Sequence, residues 1–192
     1  MRIIAGLKRG MRLLSPRDYG SRPITDRVKE SLFSVLLKYD LPAGARVADL
    51  FCGVGSLGLE ALSRGASFVT FVEHDAETAA ILERNIDKAG FVRESKVIRA
   101  DAFRIGAPAA PQEQPYDLVF VDPPYADTSD AAVGSALGRL LDKSADRLTT
   151  DGIVVVRTHR QTSLLDRYGR IEVVERRQWS KMCVTILQRV DR

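Results

Sequence analysis

The sequence predicts an α/β protein built on a mostly parallel seven-stranded sheet, with helices on both faces and an antiparallel hairpin near the C-terminus. Three observations predict it. Short apolar runs such as Leu118–Val121 and Ile153–Val156 read as buried strands. Between such runs lie segments with apolar residues at helical spacing, and strands that alternate with helices imply crossover units with parallel neighbours. The end of the chain instead offers two extended segments joined by a short turn.

The opening mixes short apolar pairs with Gly and Arg, and residues 1–24 read as a basic arm or small hairpin ahead of one domain over 25–192. From Thr25, a plausible N-cap, Val28, Leu32, Val35 and Leu36 fall at helical spacing until Leu41-Pro42-Ala43-Gly44 stops the run, which predicts a helix over 25–39. Strand 46–50, helix 56–64, strand 68–73, helix 75–89 and strand 95–100 follow. A loop carrying Pro108, Pro111 and Pro115 leads to strand 117–121, helix 129–142 and strand 152–157. Arg170–Arg177 and Met182–Arg189 then form the hairpin that closes one edge of the sheet.

With 192 residues, 45% hydrophobic and 28% charged, the chain has the size and balance of one folded domain. Its aliphatic runs reach four residues, whereas a membrane-spanning helix needs roughly twenty. The first ten residues hold no apolar stretch suited to a secretory signal. Cys52 and Cys183 form no Cys-x-x-Cys pair, so neither a disulfide framework nor a zinc site is suggested. The expectation is a cytoplasmic protein with no membrane association and no metal. The net charge of +4 hides a pattern: residues 1–40 carry nine Lys/Arg against four Asp/Glu, residues 157–192 the same, and residues 41–156 eleven against seventeen. Basic ends suit a polyanion, and an acidic centre suits a ligand with positive charge or many hydroxyls, although charge is also the solvated face of any domain.

Asp49-Leu50-Phe51-Cys52-Gly53-Val54-Gly55-Ser56-Leu57-Gly58 holds G-x-G-x-x-G at a strand-to-helix junction, with Glu73 twenty residues past Gly53. Alone this is a dinucleotide fingerprint. Asp49 argues against it, because a carboxylate just before the loop repels a pyrophosphate. S-adenosylmethionine has no phosphate and carries an ammonium and a sulfonium that Asp49 attracts. Asp49, Glu73, Asp101 and Asp122 each fall at or just past the end of a predicted strand, hence on one rim of an open parallel sheet. Glu73 is placed to accept from ribose hydroxyls and Asp101 from an adenine amine. Two plainer readings stand beside this one: acids at strand ends cap helices, and a carboxylate cluster can hold magnesium.

Asp122-Pro123-Pro124-Tyr125 follows the apolar run 118–121. Neither proline has an N–H and Pro124 keeps Pro123 extended, so the segment offers acceptors, the Asp122 carboxylate and the Pro123 carbonyl. A planar exocyclic amine needs acceptors for both of its N–H groups. Tyr125 offers a flat face on which a base turned out of its stack can lie, worth roughly 1–3 kcal/mol. A proline turn with an incidental tyrosine is the plainer alternative.

These residues resemble those of class I S-adenosylmethionine-dependent methyltransferases whose (Asp/Asn)-Pro-Pro-(Tyr/Phe) motif serves exocyclic amines. The chain is more narrowly similar to the RsmD type, bacterial enzymes that methylate a guanine N2 in small-subunit (16S) ribosomal RNA. The narrower likeness rests on Met1–Gly6, on Arg22–Phe33 and on Leu57–Gly65, and it spans nearly the whole chain. It implies a Rossmann-like methyltransferase fold and S-adenosylmethionine as cofactor. It also implies a cofactor site of Asp49, Phe51, Cys52, Gly53, Gly55, Gly58, Glu73, His74, Asp101, Ala102 and Phe103, with Asp122, Pro123, Pro124 and Tyr125 as the catalytic amine site. Arg22, Thr25, Arg27, Arg176 and Arg177 are the candidates for RNA contact. The implied partner is ribosomal RNA, naked or in a small-subunit assembly intermediate, met by a monomer. Arg27 and Lys29 lie in the first turn of a helix, where the dipole disfavours cations, which hints at a role such as phosphate contact. The chain departs from the family at Trp179-Ser180-Lys181-Met182, where Tyr-Gly and then a Thr are expected. Three competing readings are a DNA adenine-N6 methyltransferase, an NAD-dependent oxidoreductase, which would leave 122–125 idle, and a non-catalytic RNA-binding module.

Overall fold

A computed structural model describes residues 1–16, 24–110 and 114–190. Five strands run parallel at the centre: β1 (Arg46–Leu50), β2 (Phe68–Glu73), β3 (Ser95–Arg99), β4 (Tyr116–Val121) and β5 (Leu148–His159). An antiparallel extension follows, β6 (Arg167–Tyr168), β7 (Ile171–Trp179) and β8 (Met182–Arg189), to give the order β3-β2-β1-β4-β5-β8-β7-β6. The seven expected strands are present, and β6 is an eighth. Two residues long, it is too short to produce an alternating pattern.

Side chains on the central strands alternate between two cores. Leu118 and Phe120 of β4, with Ile153 and Val155 of β5, join the core under α1 (Asp26–Leu36), α2 (Ser56–Ser63) and α3 (Ala76–Ala89). Val119, Val121, Val154 and Val156 join the core under α5 (Ala136–Ser144). The turn α4 (Ala102–Ile105) follows β3. Among the described residues no helix is long and apolar enough to cross a membrane.

Helix ends follow cap chemistry. Thr25 and Asp75 accept from the amides of Val28 and Thr78 to start α1 and α3. The expected helix 25–39 is α1 plus a tighter 3₁₀ turn at Leu37–Tyr39. The expected helix 129–142 is corrected, since α5 begins at Ala136. Ser135 accepts from Gly138 at 3.0 Å to cap it, and a Cβ on Gly138 would lie 2.0 Å from the Ala132 carbonyl oxygen. The loop over 129–135 therefore packs back against the first turn of the helix that it precedes.

The N-terminal segment is held from within. Ile3 is buried, and its amide and carbonyl pair with Met11 and Gly10 in a small hairpin. Glu60 of α2 is fully buried, accepts from the amides of Ile4 at 2.7 Å and Ala5 at 3.1 Å, and pairs with Lys29 and Arg64. The Lys29 ammonium also donates to the Arg2 carbonyl at 2.7 Å. Lys29 thus ties the arm to α1 and α2 from inside the protein and does not meet phosphate. The atypical hairpin tip closes through Ser180, which takes the left-handed conformation (φ 52°) that favours glycine. The Lys181 carbonyl accepts from the Arg160 amide at 2.9 Å, which fastens the tip to the segment after β5.

Candidate active site

Strand order reverses between β1 and β4, and a cavity of about 520 Å³ opens at the C-terminal rim of these strands. It gathers Asp49, Phe51, Cys52, Gly53, Glu73, His74, Asp122, Pro123, Pro124 and Tyr125 from the predicted set. Met1, Ile24 and Arg157 also line it, and none of them carries a local sequence signal for the site.

The loop after β1 is organised by two carboxyls. Asp49 is buried and accepts from the Gly58 amide at 2.8 Å, which ties the strand end to α2. Burial pushes its carboxyl up to about 8, opposed by that amide and reinforced by the charges of Asp122 and Glu73. Glu73 accepts from the amide of Gly53 at 2.9 Å through one oxygen and from that of Asp75 at 2.9 Å through the other. Gly55 and Gly58 do not line the cavity and serve packing. A Cβ would lie 2.5 Å from Leu82 Cδ1 at Gly55, whose φ is +88°, and 2.3 Å from Phe71 Cε1 at Gly58. Phe51 holds a left-handed backbone (φ 59°), and its ring meets Phe103 at a 4.7 Å centroid distance.

Asp101 is exposed and caps α4 by accepting from the Phe103 amide at 2.9 Å. It lies outside the cavity lining, as do Ala102 and Phe103, so the third strand end contributes through the Phe103 ring against Phe51. The tetrapeptide leaves β4 beside β1, with the Asp122 amide donating to the Leu50 carbonyl at 3.3 Å. Tyr125 opens a short 3₁₀ turn held by the Thr128 hydroxyl, which donates to the Tyr125 carbonyl at 2.9 Å. Arg157 of β5 forms a short ion pair with Asp122, both side chains being largely buried. Burial raises the Asp122 carboxyl above its usual range, and the Arg157 guanidinium opposes that rise.

The candidates for RNA contact divide. Arg22 lies outside the described residues. Ile24 lines the cavity, so Thr25 and the exposed Arg27 begin α1 close beside it. Arg176 donates to Asp166 and to the carbonyls of Leu164 and Leu165, and Arg177 donates to Glu175, all on the hairpin side of the molecule.

A family model described as "Conserved hypothetical protein 95" matches residues 1–188. The "Putative rRNA methyltransferase YlbH" of Bacillus subtilis is 33% identical over 189 residues, covering 98% of this chain and 99% of that one. The "Ribosomal RNA small subunit methyltransferase D" of Haemophilus influenzae is 43% identical over 127 residues, 65% of this chain and 64% of the relative. Among solved structures, the "Putative methyltransferase yhhF" of Escherichia coli superposes with a TM-score of 0.80 at 29% identity, covering 99% of this chain and 98% of that one.

Proposed function

The chain belongs to the conserved hypothetical protein 95 family of RsmD-type methyltransferases, and from that membership we propose that it transfers the methyl group of S-adenosylmethionine to the exocyclic N2 amine of a guanine in small-subunit (16S) ribosomal RNA. The observation that carries this reading is the meeting, in one cavity, of a glycine loop backed by carboxyls from two strands with an acceptor-only tetrapeptide that ends in an aromatic ring.

The residues suit the cofactor. Asp49 is a buried carboxyl whose ionised form gains from a cationic ligand and repels a pyrophosphate. Each Glu73 oxygen accepts one backbone amide and has further acceptor capacity for ribose hydroxyls. When bound, S-adenosylmethionine supplies a methyl group on a sulfonium that departs as a neutral thioether. The remaining work falls to the chain. The Asp122 carboxylate and the Pro123 carbonyl would accept from the two amine N–H groups and turn the nitrogen lone pair out of the ring, and the proton that the methylated nitrogen sheds would leave along its hydrogen bond to Asp122 and on to water. Tyr125 stacks on the base. Holding the amine in one orientation is the chain's own contribution, since pre-paid orientation of this kind can supply up to roughly 7–11 kcal/mol of a barrier. Arg27, exposed in the first turn of α1 three residues past the cavity-lining Ile24, is the favoured candidate for phosphate contact.

Incubation with labelled S-adenosylmethionine and, separately, small-subunit RNA, a ribonucleoprotein precursor and duplex DNA tests the reading. Label mapped by mass spectrometry to a guanine N2 of the RNA is expected. Label on a DNA adenine, or binding of NAD with no response to S-adenosylmethionine, overturns it.

A further inference from the structure

Two consecutive prolines create a mechanical problem. Neither ring has an N–H, so past the Asp122 amide, which donates to the Leu50 carbonyl, the two prolines offer no backbone donor to tie the segment down. Side chains have to hold it. Strand β5 lies beside β4 with Val121 opposite Val156, so the next residues along the two parallel strands, Asp122 and Arg157, come side by side. The Arg157 Nε donates to Asp122 Oδ1, and the guanidinium carbon stands 5.8 Å from the centroid of the Tyr125 ring. Two residues on, and hence on the same face of the strand, His159 meets the Tyr125 ring edge-on at 5.7 Å. This stretch of β5 is itself braced on its other side by β8, where Arg157 and His159 face Val184 and Met182.

We infer that Arg157 is a positioning residue, which fixes the Asp122 carboxylate through its Oδ1 and so leads the other oxygen to meet the amine, while β5 supplies the rigid base that the two prolines cannot. The inference rests on the methyltransferase reading above and adds to it the group that aims the acceptor. Its chemistry is specific to a guanidinium, since a planar donor on a short reach fixes direction as well as charge, which an ammonium does not. Among the described residues the charged groups coupled to Asp122 are Arg157 from β5, which opposes the effect of burial, and the Asp49 carboxyl from β1, with which it repels; His159 faces the neighbouring Tyr125. Arg157 is the cation of this set. Without it, a buried carboxyl beside other carboxyls takes up a proton at higher pH and loses the acceptor character that the amine requires.

The test follows kcat across pH 5.5–9 for the wild type and for Arg157→Gln, Arg157→Lys and Asp122→Ala, with S-adenosylmethionine affinity measured by calorimetry on each. Arg157→Gln is expected to lower kcat at neutral pH by about ten- to a hundredfold, to move the acidic limb of the profile to higher pH, and to leave cofactor affinity within a few-fold. Arg157→Lys should hold the limb near its wild-type place but with a reduced kcat. An Arg157→Gln protein with an unmoved limb, or one that loses cofactor affinity in step with kcat, overturns the inference. Should the Gln variant not fold, the Lys variant decides: wild-type kcat overturns the inference, and reduced kcat at unchanged affinity supports it. Asp122→Ala, which removes the acceptor altogether, separates the two levels. If it still methylates, the reading of the amine site fails. If it is inactive while Arg157→Gln behaves as wild type, the positioning role alone fails.

Discussion

Asp49 and Asp122 stand at the ends of adjacent parallel strands and are held in different ways. Asp49 accepts a backbone amide, and burial pushes its carboxyl up to about 8. In the unfolded chain the same carboxyl ionises near its usual value of 3.8. Between those two values the native protein keeps a proton that the unfolded chain has released, so this group makes stability fall as pH rises through the window. A cationic ligand favours the ionised form. S-adenosylmethionine affinity is therefore expected to rise as pH increases through about 8, and calorimetry in buffers of different ionisation enthalpy should register proton release. Asp49→Asn, which keeps an acceptor for Gly58, should flatten that rise. Across the cavity, Asp122→Ala should lower the methyl-transfer rate by orders of magnitude with cofactor affinity kept within a few-fold, because the carboxylate aligns the amine. Tyr125→Phe keeps the ring and should be mild, whereas Tyr125→Ala should mainly lose base stacking, seen as weaker RNA binding. Equal loss in the two Tyr125 variants would show that the hydroxyl carries the function.

At the scale of elements, the N-terminal segment depends on α2. Glu60 accepts from the amides of Ile4 and Ala5 and pairs with Lys29, so Glu60→Leu would strand a buried ammonium and release both amides. A loss of about 3–5 kcal/mol in urea unfolding is expected, together with faster tryptic cleavage after Lys8 and Arg9. Unchanged cleavage would mean that burial of Ile3 suffices to hold the arm. This anchoring was not legible in the sequence, where Lys29 looked like a misplaced surface cation, because its partners lie 27 residues before and 31 residues after it. The strands and most helices were legible, since apolar period and caps are local signals. The start of α5 was not, because Ala131 and Ala132 extend the apolar pattern past the true cap at Ser135. Asp49, Glu73 and Asp122 met in one cavity as strand ends predict, while Asp101 turned to capping α4. Arg157 left only a faint trace, a cation closing the apolar run of β5, and the parallel pairing that sets it against Asp122 is a long-range fact.

Over the whole molecule, the basic ends no longer count as equals. Arg176 and Arg177 are already engaged with Asp166 and Glu175, whereas Arg27 is exposed in the first turn of α1, three residues past the cavity-lining Ile24. Arg27→Ala is expected to weaken RNA binding and to lower the slope of log affinity against log salt by somewhat under one unit, with S-adenosylmethionine binding intact. Arg176→Ala should change that slope less. An unchanged slope for Arg27→Ala would make that end of α1 a solvated surface.

The eight-stranded sheet also has two outermost strands, and both are poor templates. At one end β6 is two residues long, and at the other β3 exposes Lys96 and Arg99 along five residues. A short edge and a charged edge each discourage another chain from adding a strand. Both features work against self-assembly by sheet extension, the route to fibrils and to edge-to-edge dimers, and the stretch of β7 over 173–179, which runs on past its pairing with β6, is where such extension would have to start.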